Sequence, residues 1–117
     1  MSTILDSLIN IAKKSTMKHR HGCCLVYRNK IISTGYNYCN KMEKFDDNYI
    51  NNKYSIHAEK DAIRKIKDTT ILNKSVIYVI RISNSNDDIS IVEGIPCHHC
   101  NKLINKYKIK IKHIINT

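Results

Sequence analysis

Glycine and proline are scarce in this chain, with three and one among 117 residues, which argues against collagen-like or low-complexity structure. No stretch approaches the roughly 18 consecutive apolar residues of a membrane span. Met1-Ser2-Thr3-Ile4-Leu5-Asp6 has no basic lead followed by an apolar run, so no signal peptide is expected and a cytoplasmic location is. Acidic residues are few, ten against twenty basic, and the net charge of +10 is enough to attract phosphates over a distance. Most of that excess is lysine, scattered among isoleucine and asparagine as an AT-rich coding sequence tends to dictate, so charge alone does not assign a nucleic-acid partner. What remains, 42% hydrophobic and 26% charged, is the composition of one globular domain, expected over residues 1–117.

The five cysteines are an odd number, and two of them form the C-x-x-C of Pro96-Cys97-His98-His99-Cys100. In a reducing compartment that pattern suggests metal or redox chemistry ahead of a disulfide frame. Cys23 and Cys24 lie in an apolar run and read as small hydrophobes. Two thiols three residues apart share a helix face, and His57 adds an imidazole nitrogen, which makes three ligands that zinc accepts and leaves a fourth corner for water. Glu59, two residues beyond His57, is the nearby carboxylate that would move protons between that water and its target. Competing readings are weaker. A structural zinc site lacks a fourth strong ligand in register. Cys97, Cys100 and His113 match three ligands of a zinc finger, but Thr117 stands where the last histidine should fall; Asn101, rather than histidine, follows Cys100, which excludes haem attachment. His98 and His99 are directed off the ligand face, where one could line the pocket but surface placement is favoured; His19 and His21 could approach the site or only finish a strand, the latter being favoured; and Glu59 taken alone is an ordinary acid in a first helical turn.

Ile4, Leu5, Leu8, Ile9 and Ala12 recur at helical spacing and predict an amphipathic helix over 3–16. Gly22 to Tyr27, the turn Arg28-Asn29-Lys30 and Ile31 to Tyr36 predict an antiparallel hairpin, broken at its end by Gly35. Tyr38 to Ser55 lacks periodicity and reads as a long loop whose tyrosines and lysines could border a site. Ala58, Ala62, Ile63 and Ile66 predict a second helix from about His57 to Asp68. Val76 to Ile80 reads as a central strand, Asn84 to Asp88 as a turn, and Ile89 to Val92 as a short strand. A third helix should start at Pro96, and Ile109 to Ile115 should form a last strand. The order predicts an α/β fold: a three-layer α/β/α sandwich on a mixed sheet of about four strands, with an antiparallel first hairpin and then parallel strands.

Taken together, His57-Ala58-Glu59 and Pro96-Cys97-His98-His99-Cys100, with Met17 to Gly22 leading into the hairpin and Thr34-Gly35-Tyr36-Asn37 closing it, resemble the cytidine deaminase superfamily over nearly the whole chain. The likeness is strongest to the deoxycytidylate deaminase and tRNA adenosine deaminase branch. It implies one zinc per chain held by His57, Cys97 and Cys100, Glu59 as the proton shuttle, and Asn37 with the backbone of Ala58 holding the base. The implied activity is hydrolytic deamination of a cytosine nucleoside or nucleotide with release of ammonia. Two other readings stand beside it: deamination of a base within RNA or single-stranded DNA, and a catalytically idle member that binds nucleic acid or a partner. Relatives usually continue into a fifth strand, so the sheet would keep an open edge or complete itself with another subunit, and a homo-oligomer is expected. The segment 81–95 is longer than the turn common among relatives.

Overall fold

The computed structural model describes residues 2–17, 19–40, 54–85, 88–93 and 98–112. Its centre is β1 (Arg20–Tyr27), an unbroken apolar run from Cys23 to Val26 that is buried throughout and flanked on both sides. β2 (Lys30–Tyr36) pairs with it antiparallel through a two-residue turn. Arg28 and Asn29 take positive φ values of 52° and 65°, the backbone that matches strand twist in so tight a hairpin. On the other side β1 pairs antiparallel with β5 (Val76–Ser85).

Alternation along these strands makes two apolar faces. Cys24, Val26, Tyr78, Ile80 and Ile82 pack with Leu8 and Ala12 of α1 (Ser2–Ala12). Cys23, Leu25, Ile77 and Val79 face the other way, toward Ala58, Ala62 and Ile63 of α2 (Ala58–Arg64) and Ile104 of α3 (His98–Lys106). One helix on one face and two on the other give the expected three layers.

The sheet is mixed, as expected, and has one strand more. β6 (Asp88–Glu93) folds back antiparallel on the outer half of β5, and β7 (Lys110–Ile111) runs parallel to its inner half. The order is β2-β1-β5-β6, with β7 also on β5. The long segment after Arg81 is therefore mostly hairpin. At the end of α3, Lys108 has a φ of 57° and the Ile109 N–H donates to the Ile104 carbonyl, a left-handed cap that turns the chain back beside β5.

Several boundaries differ from expectation. α1 stops at Ala12, where its apolar spacing ends and the Lys14 and Ser15 amides bond three residues back. α2 ends at Arg64 instead of Asp68, because Asp68 caps a separate 3-10 helix, Thr69–Lys74, by accepting from the Thr70 N–H. The two ends of the expected 38–55 loop pair as β3 (Tyr38–Asn40) and β4 (Tyr54–Ile56). Residues 41–53, 94–97 and 113–117 lie outside the described residues, and with them the interior of the expected loop, the helix start at Pro96, the expected ligand Cys97 and the end of the expected last strand. Among the described residues no helix is long and apolar enough to cross a membrane.

Candidate active site

α2 begins where β4 ends. His57 is its N-cap, extended at φ −78° and ψ 151°, and the His57 carbonyl accepts the Asp61 N–H at 2.9 Å. Five of the helix's seven residues are buried, two of them acids: Glu59 is 4% exposed and Asp61 2%. A helix so placed must lie directly on its neighbour. Gly35 allows it, since a Cβ there would stand 2.3 Å from the Ala58 carbonyl oxygen and 2.6 Å from the Ala62 nitrogen. Gly35 thus continues β2 and seats α2, where the sequence suggested only a strand break.

The residues around Gly35 stitch the same contact. The Ser33 hydroxyl donates to the Ala62 carbonyl at 2.7 Å, Lys65 Nζ donates to the Thr34 carbonyl at 2.9 Å, and the Tyr36 N–H donates to Asp61 Oδ2 at 3.4 Å. Asp61 Oδ1 also accepts from Arg64 Nε and Nη2 at 3.1 and 3.0 Å, and Lys65 Nζ lies 3.3 Å from Oδ2, so the buried carboxylate is paired twice. Arg64 Nη2 reaches on to the Tyr38 hydroxyl. Nothing in the sequence separates Asp61 from any acid in a first turn; the Gly35 contact that buries it is tertiary.

Register brings the candidate residues together. Tyr38 pairs with Ile56, so Asn37 and His57 flank the last rung of the β3–β4 hairpin on adjoining strands. Asn37 is 8% exposed, and its side chain binds backbone: Oδ1 accepts the His21 N–H at 2.8 Å and Nδ2 donates to the His19 carbonyl at 2.6 Å. An amide carries a second N–H beyond the one used on His19.

Cys100, 3% exposed in the first turn of α3, brings Sγ to 3.4 Å from His57 Nδ1. A tetrahedral zinc bonded to nitrogen at about 2.0–2.1 Å and sulfur at about 2.3 Å sets those atoms about 3.5 Å apart, so the pair fits joint ligation. Among the described residues no third donor completes a cluster, and Cys97 lies outside them. Beside the pair opens a cavity of about 340 Å³ lined by His57, Lys60, His99, Cys100 and Leu103. His98 and His99 are both exposed, as expected, and His99 reaches the cavity wall.

Glu59 turns toward the sheet. Burial pushes its carboxyl above the usual range, against the pull of its own backbone amide and of His57. The Cys23 thiol is held well above its ordinary value by burial first, then by the Glu59 carboxylate, with Cys24, Cys100 and Asp61 adding to it. Glu59 and Cys100 thus both lie in the neighbourhood of Cys23. A buried carboxyl with its pKa raised is the kind of group that general acid–base chemistry employs. The backbone N–H of Ala58 belongs to the same first turn.

The profile of the family described as "Cytidine and deoxycytidylate deaminase zinc-binding region" matches residues 2–115. Among solved structures, the fold is similar to that of dCMP deaminase from the cyanophage S-TIM5 in apo form, with a TM-score of 0.65 and 19% identity over 96% of this chain and 79% of that one. It is likewise similar to that enzyme in complex with dCMP and dUMP, with a TM-score of 0.64 and 16% identity over 96% and 78%. No curated protein sequence matches the chain.

Proposed function

Because the chain belongs to the cytidine and deoxycytidylate deaminase family, we propose that it is a zinc-dependent hydrolase that converts a cytosine nucleoside or nucleotide to its uracil counterpart, releasing ammonia. The observation that carries the reading is the approach of Cys100 Sγ to His57 Nδ1 beside the buried Glu59 carboxyl. The cyanophage enzyme's complex with dCMP and dUMP supports a nucleotide substrate.

In this mechanism His57, Cys97 and Cys100 would hold one zinc per chain. Zinc, when bound, supplies Lewis acidity that brings the pKa of a water from about 15.7 toward 7. Glu59 takes one proton from the attacking water and passes it to the ring nitrogen as the C–O bond forms, then takes the second proton from the new hydroxyl and passes it to the amine, so that the exocyclic C–N bond breaks and ammonia leaves. The second Asn37 N–H and the Ala58 N–H orient the base, and burial around Glu59 keeps bulk water from short-circuiting the transfer. The whole of 1–117 acts as one domain, in the cytoplasm, as part of a homo-oligomer.

A second reading draws on the +10 charge: the base lies within RNA or single-stranded DNA. A panel of deoxycytidylate, cytidine, deoxycytidine and an oligonucleotide, followed by ammonia release at two salt concentrations, separates the two. Turnover confined to monomers supports the first, and turnover of the oligonucleotide alone, lost steeply with salt, supports the second. Purified protein should contain one zinc per chain, and Glu59→Ala should keep it while abolishing turnover. If the panel gives no ammonia at all, the enzymatic reading fails.

A further inference from the structure

α2 carries two buried acids, and the proposed chemistry uses one of them, Glu59. Asp61 is the other, 2% exposed and without a role in the reaction. Packing does not require it, because an apolar side chain of similar size in place of a buried ion-paired group is often neutral or stabilising. Charge pairing does not explain its placement either. Arg64 and Lys65 follow it on the same helix with about half of each side chain in solvent, where such pairs contribute little. What distinguishes Asp61 is the strand it reaches.

β2 is the terminal strand of the sheet order, and its last residues take polar partners from α2. The Tyr36 N–H donates to Asp61 Oδ2, and the same oxygen lies beside Lys65 Nζ, which donates to the Thr34 carbonyl. Asp61 Oδ1 accepts from Arg64, whose Nη2 donates to the Tyr38 hydroxyl. Asp61 thus grips the chain at Tyr36 directly and at Tyr38 through Arg64, on either side of Asn37. The Tyr36 and Tyr38 rings lie 5.8 Å apart on one side of the chain, and alternation sends the Asn37 amide to the other, where it binds the His19 carbonyl and the His21 N–H. On the helix side, Asp61 is one turn beyond His57, whose carbonyl accepts its N–H at 2.9 Å, and two residues beyond Glu59.

We propose that Asp61 is a positioning residue that fixes the Asn37 amide relative to the Glu59 carboxyl, so that a base held by Asn37 meets the group that protonates it. The inference rests on the deaminase reading and goes beyond it by naming what couples the two sides of the site. The link is short: a backbone hydrogen bond within one helical turn, the Asp61 side chain, and a strand residue adjacent to Asn37. Without it α2 would still meet β2 at Gly35, but the segment leaving β2 would be free to shift. A displacement of about 1 Å at a reacting group can cost about 10²-fold in rate.

The test uses the zinc-loaded full chain and its Asp61→Ala, Asp61→Asn and Arg64→Met variants, with deoxycytidylate and deoxycytidine as substrates. Asp61→Ala should keep its zinc, since the His57–Asp61 hydrogen bond joins backbone atoms, and should lose about 10- to 100-fold in kcat with a smaller change in KM. Asp61→Asn retains an oxygen for the Tyr36 N–H and should recover part of that loss. A second readout needs no turnover. Exchange of the His21 amide proton, held by Asn37 Oδ1, should quicken at least about tenfold in Asp61→Ala, while that of Cys24, deeper in the same strand, stays as in the parent. A purely structural role predicts a lower melting temperature with kcat per bound zinc and His21 exchange unchanged, and that result overturns the proposal. So does an Asp61→Asn variant as impaired as Asp61→Ala, which would assign the effect to charge. If Asp61→Ala does not fold, Arg64→Met, altered at a half-exposed side chain, should still lower kcat about three- to tenfold by freeing Tyr38, and an unchanged kcat there overturns the proposal. If the parent releases no ammonia, the deaminase reading alone has failed; faster His21 exchange in Asp61→Ala then still supports the hold of Asp61 on Asn37, and unchanged exchange overturns it.

Discussion

Cys23 and Cys24 are neighbours in sequence, identical in chemistry and both fully buried, yet they face opposite sides of one sheet and meet different surroundings. Cys24 lies under α1 among Leu8, Ala12 and Ile80, and burial alone pushes its thiol up to about 12. Cys23 lies under α2, where Glu59, Cys100 and Asp61 add their negative potential to the same burial. The glycines repeat the contrast. Gly22 lets the α1 backbone approach β1, with Leu8 O at 2.6 Å from where its Cβ would be, and Gly35 does the same for α2 against β2. One face is built for packing, and the other combines packing with polar groups whose burial opposes folding unless a paired or catalytic role retains them.

Substitutions can break or sharpen this contrast. The largest effect is expected from Glu59→Gln, which should lower ammonia release by about 10²–10⁴-fold with zinc content unchanged. The same change should raise the melting temperature of the metal-free chain at pH 7. A carboxyl whose pKa is higher folded than unfolded contributes stability below its ordinary value and loses it as pH rises through the folded value, so at neutral pH the charge opposes folding and the amide does not. A lower melting point at pH 7 would contradict the assignment of burial as the dominant cause. Leu8→Ala, on the packing face, should cost about 2–5 kcal/mol in denaturant melts and leave the kcat of the folded protein intact.

The glycines come next. Gly22→Ala and Gly35→Ala should each cost about 1–3 kcal/mol, but only Gly35→Ala should also reduce kcat and zinc occupancy, because it lifts Ala58 and with it Glu59 and His57. Equal activity in both variants would erase the distinction between the faces. The smallest effect is Tyr38→Phe, which removes the hydroxyl beyond Arg64; a stability loss under about 1 kcal/mol is expected from thermal melts.

The layers and the helices over the sheet were legible because apolar period and length carry them: the α1 stripe through Leu8 and Ala12, and the β-branched run from Val76 to Ile80, each bury the face their spacing predicts. The convergence of His57 and Cys100 was legible from motif spacing. The β3–β4 pairing was not, because three-residue strands have too little periodicity to stand out among polar residues. Asp61, Arg64 and Tyr38 were also hidden, since their meeting depends on Gly35 admitting α2, a contact between elements that local pattern does not encode.

The last rung of the small hairpin, Tyr38 opposite Ile56, also governs the two residues that leave it. Asn37 and His57 depart from that rung on adjoining strands, so a slip in the pairing would displace both, and the polar contact of one and the helix start of the other are tied to a single register.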